Sequence, residues 1–203
     1  MNEYQTEQWQ ALNLARAAIA CIHRDEAENL KEKISRYMEF RGEVDLFLSK
    51  YFGSHCTQSC FENRLSACCS KDGIVTFWAD IVINALLSSQ AQLADCSQAL
   101  SEPASEHKCT YLGPTGCRWH VRPLMCAMFL CDAIKDKVFT LQSELQGNWE
   151  SLQARAKDFR WPDKPVLFDW LEGYFLDRGI QSPLMYINMS PGLLRIKQKA
   201  GLR

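Results

Sequence analysis

The sequence predicts a mostly α-helical protein, a single helical domain in which two cysteine-rich loops form a metal or cluster site. Three observations predict this class. Apolar residues recur at spacings of three and four over long stretches, and no stretch shows the alternation typical of strands. Eight of the ten cysteines gather in two segments, in irregular loops or at a helix start. With 203 residues, 47% of them hydrophobic, the chain is long enough to bury one core.

Residues 1–55 predict a pair of helices. The apolar stripes of the two helices are Leu12, Ala15, Ile19 and Ile22, then Leu30, Ile34, Tyr37, Val44, Phe47 and Tyr51. A polar break at 23–26 separates them, and Gly53 is expected near the end of the second.

The middle of the chain alternates loops with helices. Segment 56–73 predicts a ligand loop, and 76–100 predicts one helix that is apolar on several sides and therefore buried. Segment 101–123 is a second loop rich in proline and glycine, and Pro123 is expected to open a short helix over 124–136. This cysteine-cluster core, 56–136, follows the helical pair of 1–55.

The remaining segment, 137–203, is expected to pack helices on that core. Apolar periodicity predicts a helix over 141–159 and another over 165–176. Ser190 and Pro191 have the character of an N-cap and first helical residue, so a last helix is expected there.

The spacing of the clustered cysteines predicts metal ligands. They form two groups of four, namely Cys56, Cys60, Cys68 and Cys69, then Cys109, Cys117, Cys126 and Cys131. Four thiolates satisfy one tetrahedral zinc ion or one 4Fe-4S cluster. The two groups can share a site or interleave, because the helix between them can turn the chain back. Eight thiols exceed the needs of one structural zinc, which favours an iron-sulfur cluster.

This ordered set resembles the YkgJ-like family of cysteine-cluster proteins, described as a zinc- or iron-chelating domain. The resemblance covers about 56–131 and rests on the first cysteine group, Cys109-Thr110-Tyr111-Leu112, Gly116-Cys117, Arg122-Pro123-x2-Cys126 and Phe129. The chain departs from the family pattern at Ala127, where a basic residue is expected. The resemblance implies metal or cluster binding. A related cluster in bacterial flagellin lysine methylases implies a modifying enzyme as the alternative.

Other residues have simpler interpretations. Cys21 and Cys96 stand on predicted helices away from the two groups and are expected to be small buried apolar side chains. His55, His107 and His120 neighbour the ligand cysteines; they could substitute for a cysteine, but solvent-facing or hydrogen-bonded side chains are expected.

Basic residues near the cysteines fit a site built of thiolates. Nearby positive charge lowers a thiol pKa, and five bases lie beside the groups, namely Arg64, Lys71, Lys108, Arg118 and Arg122. Arg122 is the candidate cofactor-binding residue, because a guanidinium can donate to a sulfur or a carbonyl in a fixed geometry.

These observations predict a metal-binding protein with a structural, electron-transfer or metal-handling role. The alternative is a cluster-dependent modifying enzyme or accessory subunit, of lysine-methylase-like or redox type. The chain has no glycine-rich phosphate loop, no His-Glu-x-x-His, no Gly-x-Ser-x-Gly and no Cys-x3-Cys-x2-Cys, so the sequence leaves open whether it catalyses a reaction.

Compartment and partners are also expectations. The first residues lack a basic and an apolar signal region, and no apolar stretch is long enough to span a membrane, so a cytoplasmic protein with reduced thiols is expected. The alternative is a disulfide-linked secreted domain. The C-terminal tail carries five unbalanced bases, Arg178, Arg195, Lys197, Lys199 and Arg203. It is expected either to dock on the body or to bind an acidic protein partner; nucleic acid is disfavoured, because no aromatic residues stand among the bases from 195 to 203.

Overall fold

The computed structural model describes residues 1–55, 76–103, 108–113, 116–159 and 166–185. Within these ranges it confirms a mostly helical chain, with eight α-helices and one two-stranded hairpin. In order, the elements are α1 (Glu3–Cys21), α2 (Arg24–His55), α3 (Trp78–Leu87), α4 (Gln90–Ser101), β1 (Leu112–Gly113), β2 (Gly116–Cys117), α5 (Leu124–Ala127), α6 (Asp132–Leu141), α7 (Glu144–Ala156) and α8 (Leu167–Leu176).

The predicted N-terminal helix pair is confirmed. Helix α1 begins with a reciprocal cap, in which Asn2 Oδ1 accepts from the Gln5 backbone N–H at 2.8 Å. In return, Gln5 Oε1 accepts from the Asn2 backbone N–H at 3.0 Å. The buried face of α1 contains two glutamines beside its apolar residues, and its members are Gln5, Gln8, Ala11, Leu12, Ala15 and Ala18.

The single helix predicted over 76–100 is wrong, because the chain breaks at Ser88 and restarts as α4. The Ser89 hydroxyl accepts from the Gln92 backbone N–H at 3.3 Å, and Gln92 Oε1 accepts from the Ser89 backbone N–H at 2.8 Å. This cap satisfies backbone donors at the new helix start and makes the break favourable. The expected burial is confirmed for α3, since every residue from 78 to 84 is buried.

The helix predicted over 124–136 is also two helices. Helix α5 is one turn long, and Cys131 is the N-cap residue of α6. The predicted loop 101–123 contains the antiparallel pair β1–β2, with Leu112 opposite Cys117 and Gly113 opposite Gly116. Gly116 has φ +112°, a conformation that favours glycine, so the hairpin needs that residue.

The next two predicted helices are present with shorter bounds. Leu141 ends α6 instead of opening α7, which begins at Glu144. Helix α8 lies within the predicted 165–176. The last helix, expected from Ser190, falls outside the described residues.

The core joins the N-terminal pair to the later helices through aromatic contacts. Tyr37 of α2 packs edge-on against Phe159 and Phe168, with ring centroids at 5.3 and 5.7 Å. Trp78 of α3 meets Phe175 of α8 at 5.6 Å. Helix α1 packs on α3 and α4, so α3 lies between the N-terminal helices and α8. None of the described helices is long and apolar enough to cross a membrane.

Part of the predicted basic tail is already engaged with the body. Arg178 forms an ion pair with Glu26 of α2, and its guanidinium lies 3.6 Å from the centroid of the Tyr174 ring. Treating Arg178 as an unbalanced tail charge is therefore wrong. The other four bases of the tail lie outside the described residues.

Candidate metal centre

Three cysteines of the second group lie near enough to one buried hydroxyl on α1 for their charge to affect its pKa. Cys109, Cys117 and Cys126 lie close enough to Tyr4 for negative charge on each sulfur to raise the pKa of its phenol. Burial of Tyr4 is the largest cause of that rise, and its hydroxyl oxygen is shielded from solvent. The structure thus gathers Cys109, Cys117 and Cys126, which are spread over 18 positions of the sequence.

The hairpin carries two of these cysteines to α1. The Leu112 backbone N–H donates to the Cys109 carbonyl at 3.1 Å, and Leu112 pairs with Cys117 across the strands. Between them, the Tyr111 hydroxyl donates to Oε1 of buried Gln8 at 3.1 Å. Gln8 stands one turn after Tyr4 on α1, so the hairpin and the Tyr4 hydroxyl meet on the same helix face.

Helix α3 positions the segment that carries the third cysteine. Asn84 Nδ2 donates to the Val121 carbonyl at 2.8 Å, and Asn84 Oδ1 accepts from the Val121 backbone N–H at 2.9 Å. The Leu124 backbone N–H donates to Asp80 Oδ1 at 3.1 Å. We call this set of hydrogen bonds from Asp80 and Asn84 the α3 clamp. It holds the chain on both sides of Arg122 and fixes the start of α5, which carries Cys126.

Asp80 is fully buried, and its environment shifts its ionisation. Burial raises the pKa of its carboxyl to about 6, while hydrogen bonds from the Phe77 and Leu124 backbone N–H groups and the charge of Arg41 oppose that rise. The Phe77 N–H donates to Asp80 Oδ2 at 3.0 Å, so each carboxyl oxygen accepts one backbone bond. The carboxyl is therefore a structural acceptor that joins the start of α3 to the start of α5.

Arg122 makes a contact of the kind that the sequence predicts for it. Its Nη2 donates to the Cys126 carbonyl at 2.8 Å, while its Nε is buried. A role for Arg122 toward a cofactor stays a prediction. Arg118 differs from expectation, because its guanidinium pairs with Glu102 at 3.0 Å and Asp95 at 3.4 Å. These two carboxylates balance the positive charge of Arg118, which was expected to offset the negative charge of thiolates.

The two thiols predicted to lie away from both cysteine groups, Cys21 and Cys96, correct the sequence prediction. Cys96 is buried as expected, at 2% exposure, and its Sγ donates to the Arg118 carbonyl at 3.4 Å. Burial raises its pKa to about 12, and charge on nearby Cys117 adds to the rise. Cys96 is thus a neighbour of the second group, not distant from it. Cys21 is exposed, so its predicted burial is wrong.

The other predicted ligands of the second group and its neighbours are placed as follows. Cys131 is the N-cap residue of α6, and its role as a ligand stays a prediction. His120 is exposed and hydrogen-bonded to Gln92 at 3.0 Å, as expected for a residue that is not a ligand. His55 is the last residue of α2, and His107 lies outside the described residues.

The first cysteine group also falls outside the described part of the chain; its members are Cys56, Cys60, Cys68 and Cys69. Within the described ranges, no three His, Cys, Asp or Glu side chains lie close enough together to hold a metal ion. A metal centre at Tyr4 therefore needs ligands from 56–75 as well as the three gathered cysteines.

Buried polar atoms in this region lack hydrogen-bond partners. They are Tyr4 Oη, Thr76 Oγ1, Trp119 Nε1 and Arg122 Nε. Thr76 is the polar neighbour of Tyr4 and lowers its pKa, but the two oxygens do not reach hydrogen-bond geometry. Each of these atoms can donate a hydrogen bond, and a sulfur ligand in its thiolate form is an acceptor. Unpaired buried donors also occur away from the cysteines, at Tyr37, Arg41, Trp78 and Tyr174.

Sequence reasoning missed Tyr4, Gln8 and Thr76 as members of the site. Their partners lie about a hundred positions away, a separation that helical periodicity cannot connect. One signal was present, since Gln5 and Gln8 occupy the stripe that also holds Ala11, Leu12 and Ala15. Buried polar residues need partners, so two glutamines on an apolar face indicate polar contacts from elsewhere in the chain.

A cavity of about 460 Å³ adjoins α5. Its lining includes Met125, Met128, Phe129, Ala154 and Lys157. Because Met125 immediately precedes Cys126, the cavity adjoins the short helix that carries Cys126.

Comparison of the chain with protein-family models, with curated proteins and with solved structures finds no match. The resemblance to the YkgJ-like proteins therefore stays a prediction carried by the cysteine spacing alone. Function has to be argued from the gathered thiols and the groups around them.

Proposed function

We propose that this protein holds an iron-sulfur cluster or a zinc ion through its two cysteine groups, for a structural, electron-transfer or metal-handling role. One observation carries the proposal: Cys109, Cys117 and Cys126 all lie near enough to the buried hydroxyl of Tyr4 for their charge to affect its pKa. Single buried cysteines act as small apolar side chains, but three from separate positions in the sequence have no packing reason to lie near one hydroxyl. Thiolates suit zinc and iron-sulfur clusters above other metal groups.

The first cysteine group can supply the missing ligands. Thr76, where the described chain resumes, is a neighbour of Tyr4. Cys69 precedes Thr76 by seven positions, so the covalent chain keeps it within about 25 Å of that residue. The connectivity thus allows ligands from Cys68 and Cys69 at the Tyr4 site.

Hydrogen bonding around the site supports a group with acceptor sulfurs. Thiolate ligands need donors that orient them and offset their charge. Tyr4 and Arg122 offer buried donor atoms there, and Arg122 also binds the carbonyl of Cys126. When bound, an iron-sulfur cluster would supply electron transfer or structural cross-linking, and zinc would supply cross-linking alone.

The proposal is tested by metal analysis of matched cysteine variants. Cys117→Ser removes a gathered thiol, and we expect the purified full chain to lose most of its metal. Cys21→Ser is the control, because Cys21 is exposed at the far end of α1 and should leave metal content unchanged. Equal metal loss in both variants would contradict the proposed ligand set. Cys96→Ser is a poorer control, because Cys96 neighbours Cys117.

A second candidate is a modifying enzyme of the lysine-methylase-like type. The cavity beside α5 favours it, because about 460 Å³ falls within the usual range for small-molecule sites. Its methionine and phenylalanine lining would suit a ligand with an apolar or soft sulfur-bearing part. Calorimetric titration with S-adenosylmethionine tests this candidate. Saturable binding that Met128→Lys abolishes would support it, and absence of heat with the metal-loaded wild type would exclude it.

A further inference from the structure

The cavity beside α5 combines apolar side chains with a single cation in its described lining. The apolar part comes from α5, the residues just after it, and α7, namely Met125, Met128, Phe129, Ala154 and Ala156. Phe129 is 46% exposed, so the cavity presents apolar surface to solvent. Lys157 is the one cation among the described residues that line it, and its ammonium forms no ion pair with a described residue.

A second cavity of about 450 Å³ continues along α7. Glu150 and Gln153 line both cavities, so the two adjoin at these residues, and we call the pair the α7 groove. Its α7 side extends from Gln146 to Lys157, a rise of about 16 Å along the helix axis. An extended peptide rises about 3.3 Å per residue, so the α7 groove matches the length of about five residues.

Polar side chains between the ends of the α7 groove can bond to a peptide backbone. Each peptide unit offers one N–H donor and one carbonyl acceptor, and both need partners. The Gln153 amide and the Thr140 hydroxyl can each donate and accept. Glu150 Oε1 accepts from Gln146 Nε2 at 2.9 Å, and a carboxylate has room for further donors. This lining suits a peptide better than it suits a purely apolar ligand.

We propose that the α7 groove binds the free carboxyl end of a peptide whose last residue is apolar. The peptide carboxylate pairs with the Lys157 ammonium, and the last side chain packs on Met128 and Phe129. Capture of a terminal carboxylate is a recurring mode of peptide recognition. Glu150 stands about 10.5 Å from Lys157 along the helix axis, beyond the screening length of about 8 Å, so it repels the carboxylate little. No cysteine is in the described lining, so this role is independent of the proposed metal centre.

Fluorescence polarisation with the full chain tests the site. The probe is the pentapeptide Ser-Gln-Ser-Ala-Leu, labelled at its amino end, and it is used with a free carboxylate or with a carboxyl-terminal amide. We expect saturable binding of the carboxylate form. The amide form should bind about fivefold more weakly, the upper range for loss of an exposed ion pair.

Matched variants at exposed positions locate the binding. Lys157→Gln should bind the two peptides equally, because the ammonium that distinguishes them is gone. Lys137→Gln removes an exposed lysine of α6 outside the described lining and should bind as the wild type does. Ala154→Glu places a carboxylate in the apolar cavity and should abolish binding. Ser151→Glu adds the same charge to α7 outside the described lining and should leave the affinity unchanged.

Three results would overturn the peptide site. The first is absence of binding to the wild type, and the second is equal affinity of the wild type for the carboxylate and amide peptides. The third is binding that survives Ala154→Glu, because the peptide would then lie elsewhere. S-adenosylmethionine is titrated into the same proteins. If it binds in the wild type and the carboxylate peptide does not, the cavity takes a cofactor and the peptide site is likewise overturned.

Discussion

The α3 clamp and the Tyr4 site lie on neighbouring parts of the molecule, but they differ in whether their buried polar atoms have hydrogen-bond partners. In the clamp, Asn84 Nδ2 donates to the Asp80 and Val121 carbonyls, and its Oδ1 accepts from Val121. At the Tyr4 site, the Tyr4 and Thr76 oxygens are buried without a partner. The hydrogen bonds of the clamp are made within the protein alone, whereas under the proposed function a bound group would supply acceptors at the Tyr4 site.

This difference distinguishes residues with a role in folding from residues with a proposed role in binding. Native proteins pair nearly all of their buried polar atoms, so a fully paired cluster indicates a role in folding. Under the proposed function, the unpaired donors near the cysteines would bond to a bound metal-thiolate group. The comparison predicts that changes in the clamp alter stability with or without metal, and that changes at the Tyr4 site depend on metal.

The largest effect is expected from Asn84→Ala. The substitution leaves the Val121 N–H and carbonyl unpaired in a buried segment, which should lower the free energy of unfolding by about 3 kcal/mol. Urea denaturation of metal-free and metal-loaded protein measures it. The control is Asn13→Ala, because the Asn13 side chain donates to a carbonyl of its own helix. A loss in the loaded form alone would contradict a purely structural clamp.

The pH dependence of stability should reveal the buried carboxyl of the clamp. The pKa of Asp80 is raised from 3.8 to about 6, so between these values the folded state binds a proton that the unfolded state has released. Stability from this group is therefore highest near pH 4, falls as pH rises to about 6, and then stays level. Arg41 and Tyr37 on α2 are the groups that face it, and Arg41 partly offsets the fall.

Urea denaturation of wild type and Asp80→Asn across this pH range isolates that contribution. The wild-type stability, taken relative to the variant, should decline from about pH 4 to about pH 6. A difference that stays constant over the range would show that Asp80 keeps an ordinary pKa.

A smaller loss of stability is expected from a substitution in the β1–β2 hairpin. Gly116→Ala places a side chain at φ +112°, where backbone strain should cost about 1 to 2 kcal/mol although the added carbon meets no atom within 4 Å. Gly147→Ala in exposed α7 is the matched control, because it also meets nothing within 4 Å and should stabilise the helix by about 0.5 to 1 kcal/mol. Thermal melting should show shifts of opposite sign, and equal shifts would contradict strain at Gly116.

Helical periodicity was enough to predict α1, α2 and α8, because each buries one apolar face against the core. It was not enough at Ser88–Ser89, where apolar residues continue on both sides and no glycine or proline marks the break. The signal there was the capping pair Ser89 and Gln92, three positions apart. The hydrogen bonds at the start of α4 stabilise this break, although the apolar pattern continues across it.

The candidate site likewise contains residues that the sequence predicted and residues that it could not predict. Cysteine spacing predicted a group that includes Cys109, Cys117 and Cys126, and the structure places these three near Tyr4, while their role as ligands stays a prediction. Tyr4 and Gln8 could not be found from local patterns, since their neighbours lie across the whole chain and depend on how α1 packs against the hairpin. The sequence predicted wrongly that Cys96 lies away from the second group, because its neighbour Cys117 is 21 positions later in the sequence.

Anaerobic purification of the full chain, followed by elemental analysis and an absorption spectrum, tests the metal centre most directly. We predict a bound group: iron and sulfide with a broad band near about 400 nm for a cluster, or a colourless protein with stoichiometric zinc. A full-length protein that carries neither metal, with all ten thiols reacting freely with a thiol reagent, would contradict the metal centre.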